Sequence, residues 1–141
     1  MTVENTERVM HAYHDAWERG DQEAGMSFYS TDLVVHMGGD GPLSGVFHSR
    51  ENFVRDWVNR VAEYTDSWDV VGNDTLLVGE DGVLLLVHEK WSRGDRSVIT
   101  ERLGYYRVSG DKIVECRFAD MNQPEVEAFF GDLVPVSTGP R

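Results

Sequence analysis

The sequence predicts an α+β fold in which N-terminal helices cover one face of a curved, mainly antiparallel sheet. In the first half of the chain, apolar residues recur at the three- and four-residue spacing of amphipathic helices. After Tyr64 this spacing gives way to short strand-like runs, and turn-forming residues separate these runs. Helices that precede a set of hairpin-linked strands are typical of this fold class.

Two helices are predicted at the N-terminus. The first covers residues 3–19, because Val9, Tyr13 and Trp17 recur at intervals of four and a glycine follows directly. The second is shorter and covers about residues 22–29. Together they provide an apolar stripe that can pack on the sheet.

A glycine-rich loop, residues 36–45, follows a predicted strand at residues 33–37. Its sequence, His-Met-Gly-Gly-Asp-Gly-Pro-Leu-Ser-Gly, cannot continue a helix and fits a central strand poorly. After the loop, Ser49 is a suitable N-cap for a third helix, in which Phe53 and Trp57 are four residues apart. A strand end that opens into such a loop is a place where a small fold can build a pocket.

Five strands are predicted in the second half of the chain, separated by turns that contain glycine, aspartate or asparagine. They cover residues 67–71, 75–79, 83–91, 97–108 and 112–119. A last short helix is expected at residues 124–130. We expect one domain, residues 1–133, followed by a flexible tail at residues 134–141, which contains two prolines and a glycine.

Composition excludes several classes of protein. The chain has 141 residues, of which 40% are hydrophobic, and this is enough for one core with a cavity. Its 25 acidic and 13 basic residues give a net charge of −12, which argues against nucleic-acid and anionic-membrane partners. Cys116 is its single cysteine, so a disulfide framework or structural zinc site within one chain is excluded. With no predicted signal peptide or membrane span, we expect a cytoplasmic location.

Five segments of the chain carry a resemblance to a known family. They are residues 13–21 (Tyr-His-Asp-Ala-Trp-Glu-Arg-Gly-Asp), 28–36 (an aspartate, then a valine-rich strand), 36–45 (His-x-x-Gly…Pro-Leu-x-Gly), 106–115 and 120–130. In that order they resemble the first helix, the start of the sheet, a loop, the penultimate hairpin and the closing segment of the SnoaL-like branch of the nuclear transport factor 2-like superfamily. The resemblance covers nearly all of residues 5–131. It implies a cone-shaped barrel in which three helices pack on a bent sheet, and it implies a homodimer.

Relatives in this superfamily include ketosteroid isomerases, limonene epoxide hydrolases, polyketide cyclases and non-enzymatic subunits. The resemblance to the isomerases keeps their helical tyrosine at Tyr13, but their two acids fall at Met37 and Gly104. The resemblance to the epoxide hydrolases keeps an arginine at Arg102. One of the two aspartates in that pattern is again Gly104, and the other falls two residues before the aspartate that ends the last strand. One fold hosts many functions, so the resemblance supports the fold more than any reaction.

Asp120 and His36 are the candidate groups for proton transfer. Asp120 ends a strand whose same-face neighbours, Phe118 and Cys116, are apolar, and a carboxylate there can act as a general acid or base. The alternative for Asp120 is a loop or helix-capping role. His36 can exchange a proton near neutral pH. The alternative for His36 is a place on the outer face of the sheet, with Met37 pointing inward.

Arg102 and Tyr13 are the candidate groups for stabilising negative charge on a substrate oxygen. A fixed guanidinium in a dry cavity acts strongly on developing charge. The alternative for Arg102 is a buried ion pair with Asp120 or a nearby glutamate, and both roles can coexist. Tyr13 can donate its phenol hydrogen, although a residue on a helix stripe can also belong to the core.

Eight residues are candidates for the wall of a substrate pocket, or alternatively for the core. They are Trp17, Phe28, Met37, Phe53, Trp57, His88, Tyr106 and Phe118. His88 shares a face with Arg102 only if the hairpin turns about Gly94, and a shift of one residue would reverse this. The number of aromatic side chains predicts a ligand with a large apolar or aromatic surface.

The sequence therefore favours a small cofactor-independent enzyme that uses acid–base catalysis in an apolar pocket. Its substrate would be an oxygen-bearing small molecule, in a cyclisation, isomerisation, dehydration or hydrolytic opening. No metal site is predicted, because no metal-ligand spacing occurs. The alternative is a non-catalytic binding or accessory protein with the same cavity. The absence of aspartate at positions 37 and 104 favours that alternative.

Overall fold

The computed structural model describes residues 2–134, which form five helices, one π-helical turn and seven strands. In chain order these are α1 (Val3–Glu18), α2 (Gln22–Met26), β1 (Tyr29–Met37), β2 (Gly45–His48), α3 (Arg50–Phe53), the π turn (Val54–Val58), α4 (Asn59–Tyr64), β3 (Ser67–Val78), β4 (Gly82–Arg93), β5 (Arg96–Ile99), β6 (Arg102–Ser109), β7 (Lys112–Asp120) and α5 (Gln123–Phe129). The predicted tail, residues 134–141, lies outside the described residues apart from Val134. None of the helices within residues 2–134 is long and apolar enough to cross a membrane.

All seven strands belong to one mixed sheet with the order β2-β1-β7-β6-β4-β3, and β5 pairs with β4 beyond the end of β6. β1 and β7 run parallel, with Val35 opposite Cys116, and every other described pairing is antiparallel. The predicted α+β fold, with N-terminal helices and a curved, mainly antiparallel sheet, is confirmed. The parallel pair brings the first strand next to the last one at the centre of the sheet.

The helices cover one face of the sheet, and the core lies between the helices and the sheet. α1 packs against β3 and β4, and α3 packs against β1 and β2. On α1 the buried side chains include Val9 and Tyr13, as the four-residue spacing predicts. Ser49 caps α3 by accepting a hydrogen bond from the backbone N–H of Asn52 at 3.0 Å.

The strand pattern differs from the prediction in three places. The predicted strands 67–71 and 75–79 form one strand, β3, because its pairing with β4 continues through the predicted turn at residues 72–74. The glycine-rich loop ends in a strand, β2, that pairs with β1, and the predicted strand 97–108 is interrupted after β5. At the interruption Thr100 Oγ1 accepts a hydrogen bond from the backbone N–H of Glu89 at 2.9 Å. The side chain of Asn122 bonds the Ile99 carbonyl at 2.8 Å and the Glu101 N–H at 2.9 Å. These side chains satisfy backbone groups that an unbroken ladder would have paired.

Candidate active site

Three charged side chains from neighbouring strands meet inside the fold. Arg102, on β6, is 3% exposed, and its Nη1 donates to Glu89 Oε1 on β4 at 3.0 Å. Arg102 Nε donates to Asp120 Oδ1 on β7 at 3.1 Å, and Nη2 donates to Oδ2 at 3.3 Å. The guanidinium is therefore held between two carboxylates, and its contact with Asp120 uses two parallel bonds.

The turn between β4 and β5 determines that Glu89 faces inward. Arg93 pairs with Arg96, so the turn contains two residues and begins at Gly94, whose φ is 59°. A turn centred on Gly94, the condition under which His88 would share a face with Arg102, differs from this register by one residue. The shift places Glu89 on the same face as Arg102 and turns His88 to the opposite face, where its Nδ1 lies 2.8 Å from the Thr100 carbonyl oxygen.

Burial raises the pKa of Glu89 above its ordinary value, against the opposing effects of the Arg102 charge and a hydrogen bond from the Trp68 indole. Burial alone would lower the pKa of Arg102, but the charges of Asp120 and Glu89 outweigh this effect and raise it. The guanidinium also lies over the rings of Trp57 and Trp91, at 5.3 and 5.1 Å from their centroids. Arg102 therefore stays charged in an apolar environment.

Three phenols lie near this cluster. The hydroxyls of Tyr13 and Tyr29 are 2.7 Å apart, so one donates to the other and a single hydrogen is left over. Within residues 2–134 this hydrogen has no other acceptor, and the Tyr106 hydroxyl makes no hydrogen bond. Burial raises the pKa of all three phenols, so they remain protonated donors at neutral pH.

A central cavity of about 40 Å³ lies between α1, the π turn and the sheet. Glu89, Arg102 and Tyr29 contribute to its wall. Seven residues predicted from the sequence line it: Tyr13, Trp17, Phe53, Trp57, Arg102, Tyr106 and Phe118. The cavity therefore combines aromatic walls, phenol donors and one end of the charged cluster.

A second cavity, of about 30 Å³, lies between the glycine-rich loop and α5, and we call it the loop-side cavity. Met37, Trp91 and Asp120 line it, together with Trp57 and Arg102. Since Trp57 and Arg102 also line the central cavity, these two side chains form a wall between the two spaces. Glu89 lies on the central side of this wall, and Asp120 lies on the loop side.

The structure does not bring three of the candidate residues to these cavities. His36 lies on the other face of the sheet, with its Nε2 3.7 Å from Glu115 Oε2, as in the alternative given for it. His88 is directed away from Arg102 by the turn described above. Phe28 packs edge-on against Tyr13, with ring centroids 6.3 Å apart, and lines neither cavity.

Several residues with aromatic or charged side chains at the site were not singled out from the sequence, among them His14, Tyr29, Trp68, Glu89 and Trp91. One signal for Glu89 was available, because it alternates with the apolar residues Val87 and Trp91 on a single strand face. A charged residue on such a face requires a buried partner. Among residues 2–134, no group of three or more histidine, cysteine or acidic side chains is placed to hold a metal ion.

Aromatic rings fill the space around Gly104. A Cβ at this glycine would lie 2.9 Å from Tyr106 Cε1 and 3.0 Å from Phe118 Cε1. We expect Gly104→Ala to cost about 1–3 kcal/mol of unfolding free energy through overpacking, measured by urea denaturation. Gly72→Ala is the matched control, because the nearest atom to its new Cβ, His88 Cδ2, would be 3.6 Å away. Equal stability of both variants would contradict this prediction.

The chain matches one protein family and is similar to several solved structures. Residues 10–116 match the SnoaL-like domain family. The structure is similar to Bal32a from a soil-derived mobile gene cassette, with a TM-score of 0.79 and 15% identity over 90% of this chain and 97% of that one. It is also similar to an NTF2-like protein from Burkholderia thailandensis, with a TM-score of 0.72 and 20% identity over 86% of this chain and 92% of that one.

A third similar structure is that of TerC co-crystallised with polyporic acid, with a TM-score of 0.71 and 14% identity over 89% of this chain and 97% of that one. No curated protein matches the chain. Identities this low show a shared fold and nothing about a shared reaction.

Proposed function

Because the chain belongs to the SnoaL-like domain family, we propose that it is a small cofactor-independent enzyme that moves a proton on an oxygen-bearing, largely apolar molecule. The observation that supports this proposal most is the buried arginine held between two carboxylates at the wall of an aromatic cavity. A buried carboxylate with a raised pKa, next to a fixed positive charge in a cavity, is a typical arrangement at active sites.

Glu89 is the group that we assign to proton transfer in the central cavity. It lines this cavity, and burial raises its pKa toward the range in which a general base works well at neutral pH. A C–H bond next to a carbonyl would lose its proton to Glu89, and the electron pair would move onto the carbonyl oxygen. A positioned base contributes about 10²- to 10⁴-fold to the rate.

Tyr13 and Tyr29 are the groups that we assign to the oxygen of the substrate. Their hydrogen-bonded pair leaves one phenol hydrogen for an acceptor in the cavity, and Arg102 adds positive charge nearby. Donors of this kind contribute about 10²- to 10³-fold each when they are fixed before the reaction. In polyketide-cyclase, isomerase and epoxide-hydrolase chemistry, negative charge develops on an oxygen of the substrate. The same donors would therefore serve each of these reactions.

Asp120, the candidate from the sequence, lies on the loop side of Arg102, and we propose that it holds the guanidinium in place. We expect Asp120→Asn to lower kcat about tenfold, because the neutral amide pairs with Arg102 more weakly than a carboxylate does. Steady-state kinetics on the variant measures this effect. A loss larger than that of Glu89→Gln would move proton transfer to Asp120 and contradict our assignment.

The test of the function itself begins with the compound that co-purifies with the protein, identified by mass spectrometry. The purified protein is incubated with this compound in deuterated buffer, and NMR detects exchange of carbon-bound hydrogen and any product. Protein-dependent exchange that depends on pH supports the enzyme. Tight binding without exchange or product would favour the alternative of a non-catalytic binding protein, which the replacement of both isomerase acids by Met37 and Gly104 also favours.

A further inference from the structure

Glu89 lies where β4 changes its neighbour in the sheet. Lys90 still pairs with Ile99 of β5, and Val87 already pairs with Arg102 of β6. Between these two pairs the regular ladder is interrupted, so the backbone groups of β4 that face the gap need other partners. The way in which this short stretch is held decides where the Glu89 side chain begins and which way it points.

A single residue, Thr100, supplies those partners. Its backbone N–H donates to the Glu89 carbonyl oxygen at 2.8 Å, and its Oγ1 accepts from the Glu89 N–H at 2.9 Å. The same hydroxyl donates to the Val87 carbonyl oxygen at 3.3 Å. Thr100 is fully buried, so solvent does not compete for these bonds. Both backbone polar groups of Glu89 are therefore bound to this one residue.

Thr100 is itself held from two directions. The Thr100 carbonyl oxygen lies 2.8 Å from His88 Nδ1, and because a carbonyl oxygen only accepts, that nitrogen carries the hydrogen. The side chain of Asn122 bonds the residues on either side of Thr100, through the Ile99 carbonyl and the Glu101 N–H. Thr100 is thus a fixed point, and His88 supports it from the opposite face of the sheet.

The carboxylate of Glu89 also has two side-chain donors, one for each oxygen. Arg102 Nη1 donates to Oε1 at 3.0 Å, and the Trp68 indole donates to Oε2. These bonds orient the carboxylate, but its reach into the central cavity is set by the backbone that carries it. A displacement of about 1 Å in a reacting group can cost about 10²-fold in rate.

From this arrangement we infer that Thr100 is a positioning residue for Glu89 and that His88 supports it through the Thr100 carbonyl. Thr100 lines neither cavity, so its hydroxyl acts on the backbone of Glu89 and not on a substrate. The inference rests on the proposed function in giving Glu89 its role in proton transfer. The placement of the carboxylate can nevertheless be measured without any substrate.

Thr100→Val keeps the branched shape of threonine and removes the hydroxyl, so the Glu89 N–H loses its acceptor. We expect kcat for the co-purifying compound to fall about 10- to 100-fold while KM changes less than about twofold, because the base moves and the cavity wall does not. The ¹³C resonance of the Glu89 side-chain carboxyl should move as well. Steady-state kinetics and carboxyl-detected NMR at one fixed pH measure the two effects.

Two variants separate positioning from a general loss of packing. Thr100→Ser keeps the hydroxyl, so it should recover most of kcat and return the Glu89 carboxyl resonance to its original place. Thr6→Val is the matched control, because Thr6 is also fully buried and its hydroxyl donates to the Glu80 carbonyl, yet it lines neither cavity. It should change neither readout. Equal effects of Thr100→Val and Thr6→Val would overturn the inference.

His88 provides a test from the far face of the sheet. His88→Leu removes the donor to the Thr100 carbonyl and should lower kcat about three- to tenfold, the size of one hydrogen bond. His88→Asn should recover this loss, because the asparagine Nδ2 can donate from nearly the same place as Nδ1. His48→Leu is the control, since it makes the same change at an exposed histidine of β2. Unchanged kcat in His88→Leu would contradict the role given to His88.

A last measurement uses the unaltered protein. In hydrogen exchange followed by ¹H–¹⁵N NMR, the Glu89 amide should be as protected as that of Leu85 in the middle of β4, because the Thr100 hydroxyl holds it. Exchange as fast as in an exposed turn would overturn the inference, and so would a loss of kcat in Thr100→Val without movement of the Glu89 resonance. If that resonance moves while Glu89→Gln keeps full turnover, the anchoring of Glu89 stands and its assigned reaction falls.

Discussion

Glu89→Gln is expected to lower turnover of the natural substrate by about 10²- to 10⁴-fold, because glutamine keeps the shape of glutamate but cannot accept a proton from carbon. Substrate affinity should change only a few-fold, since the amide oxygen can still accept a hydrogen bond from Arg102, and only the bond that Glu89 accepts from the Trp68 indole is lost. The measurement is kcat and substrate dissociation constant for the unaltered protein and the variant. Glu101→Gln is the matched control, because it neutralises an exposed glutamate directly before β6.

The same substitution should also change how stability depends on pH. Burial raises the pKa of Glu89, so the native state binds this proton more tightly than the unfolded chain does. The resulting stabilisation is complete below the pKa that Glu89 has in the unfolded chain. It is lost as the pH rises through the higher pKa that Glu89 has in the native state. The stability of the unaltered protein relative to Glu89→Gln should therefore fall with rising pH across this window. Urea denaturation at several pH values measures the difference in unfolding free energy between the two proteins. A difference that stayed constant with pH would contradict a raised pKa of Glu89.

Arg102→Met is expected to be the most destabilising single change at the site. It leaves the carboxylates of Glu89 and Asp120 buried together without their shared cation. Removing one partner from a buried ion pair typically costs about 3–5 kcal/mol of unfolding free energy. Urea denaturation followed by tryptophan fluorescence measures this cost.

Two further variants test the cause of that destabilisation. Arg107→Met removes a half-exposed arginine from the same strand, where its ion pair with Glu115 is open to solvent, and should change stability little. Adding Glu89→Gln and Asp120→Asn to Arg102→Met removes the unpaired charges and should restore part of the lost stability. If the triple variant were less stable than Arg102→Met alone, the loss would come from packing and not from charge.

The helices of the fold could be predicted because their evidence is local. The four-residue spacing of Val9, Tyr13 and Trp17 places α1, and the serine at position 49 places the start of α3. The strand β2 was missed because it has only four residues between the glycine-rich loop and α3, too few for a clear pattern, whereas pairing with β1 stabilises it. The parallel pairing of β1 with β7 has no local signature at all.

The site was harder to predict, because it depends on register. Arg102 and Asp120 share inward faces of β6 and β7, and strand alternation is enough to suggest that both point inward. Whether Glu89 faces the core depends on whether the turn at Gly94 contains an even or an odd number of residues. A shift of one residue would turn Glu89 outward and His88 inward. Sequence spacing alone does not distinguish these turns. The sequence therefore did not identify Glu89 as the second carboxylate of the cluster.

The parallel contact between β1 and β7 also determines when the active centre can assemble. Residue 35 meets residue 116 there, so a chain emerging from the ribosome holds an incomplete sheet until β7 has been synthesised. Contacts between such distant segments slow folding, because the loop between them must close first. Since β7 also carries Asp120, the charged cluster should become ordered only after the seven strands are all present.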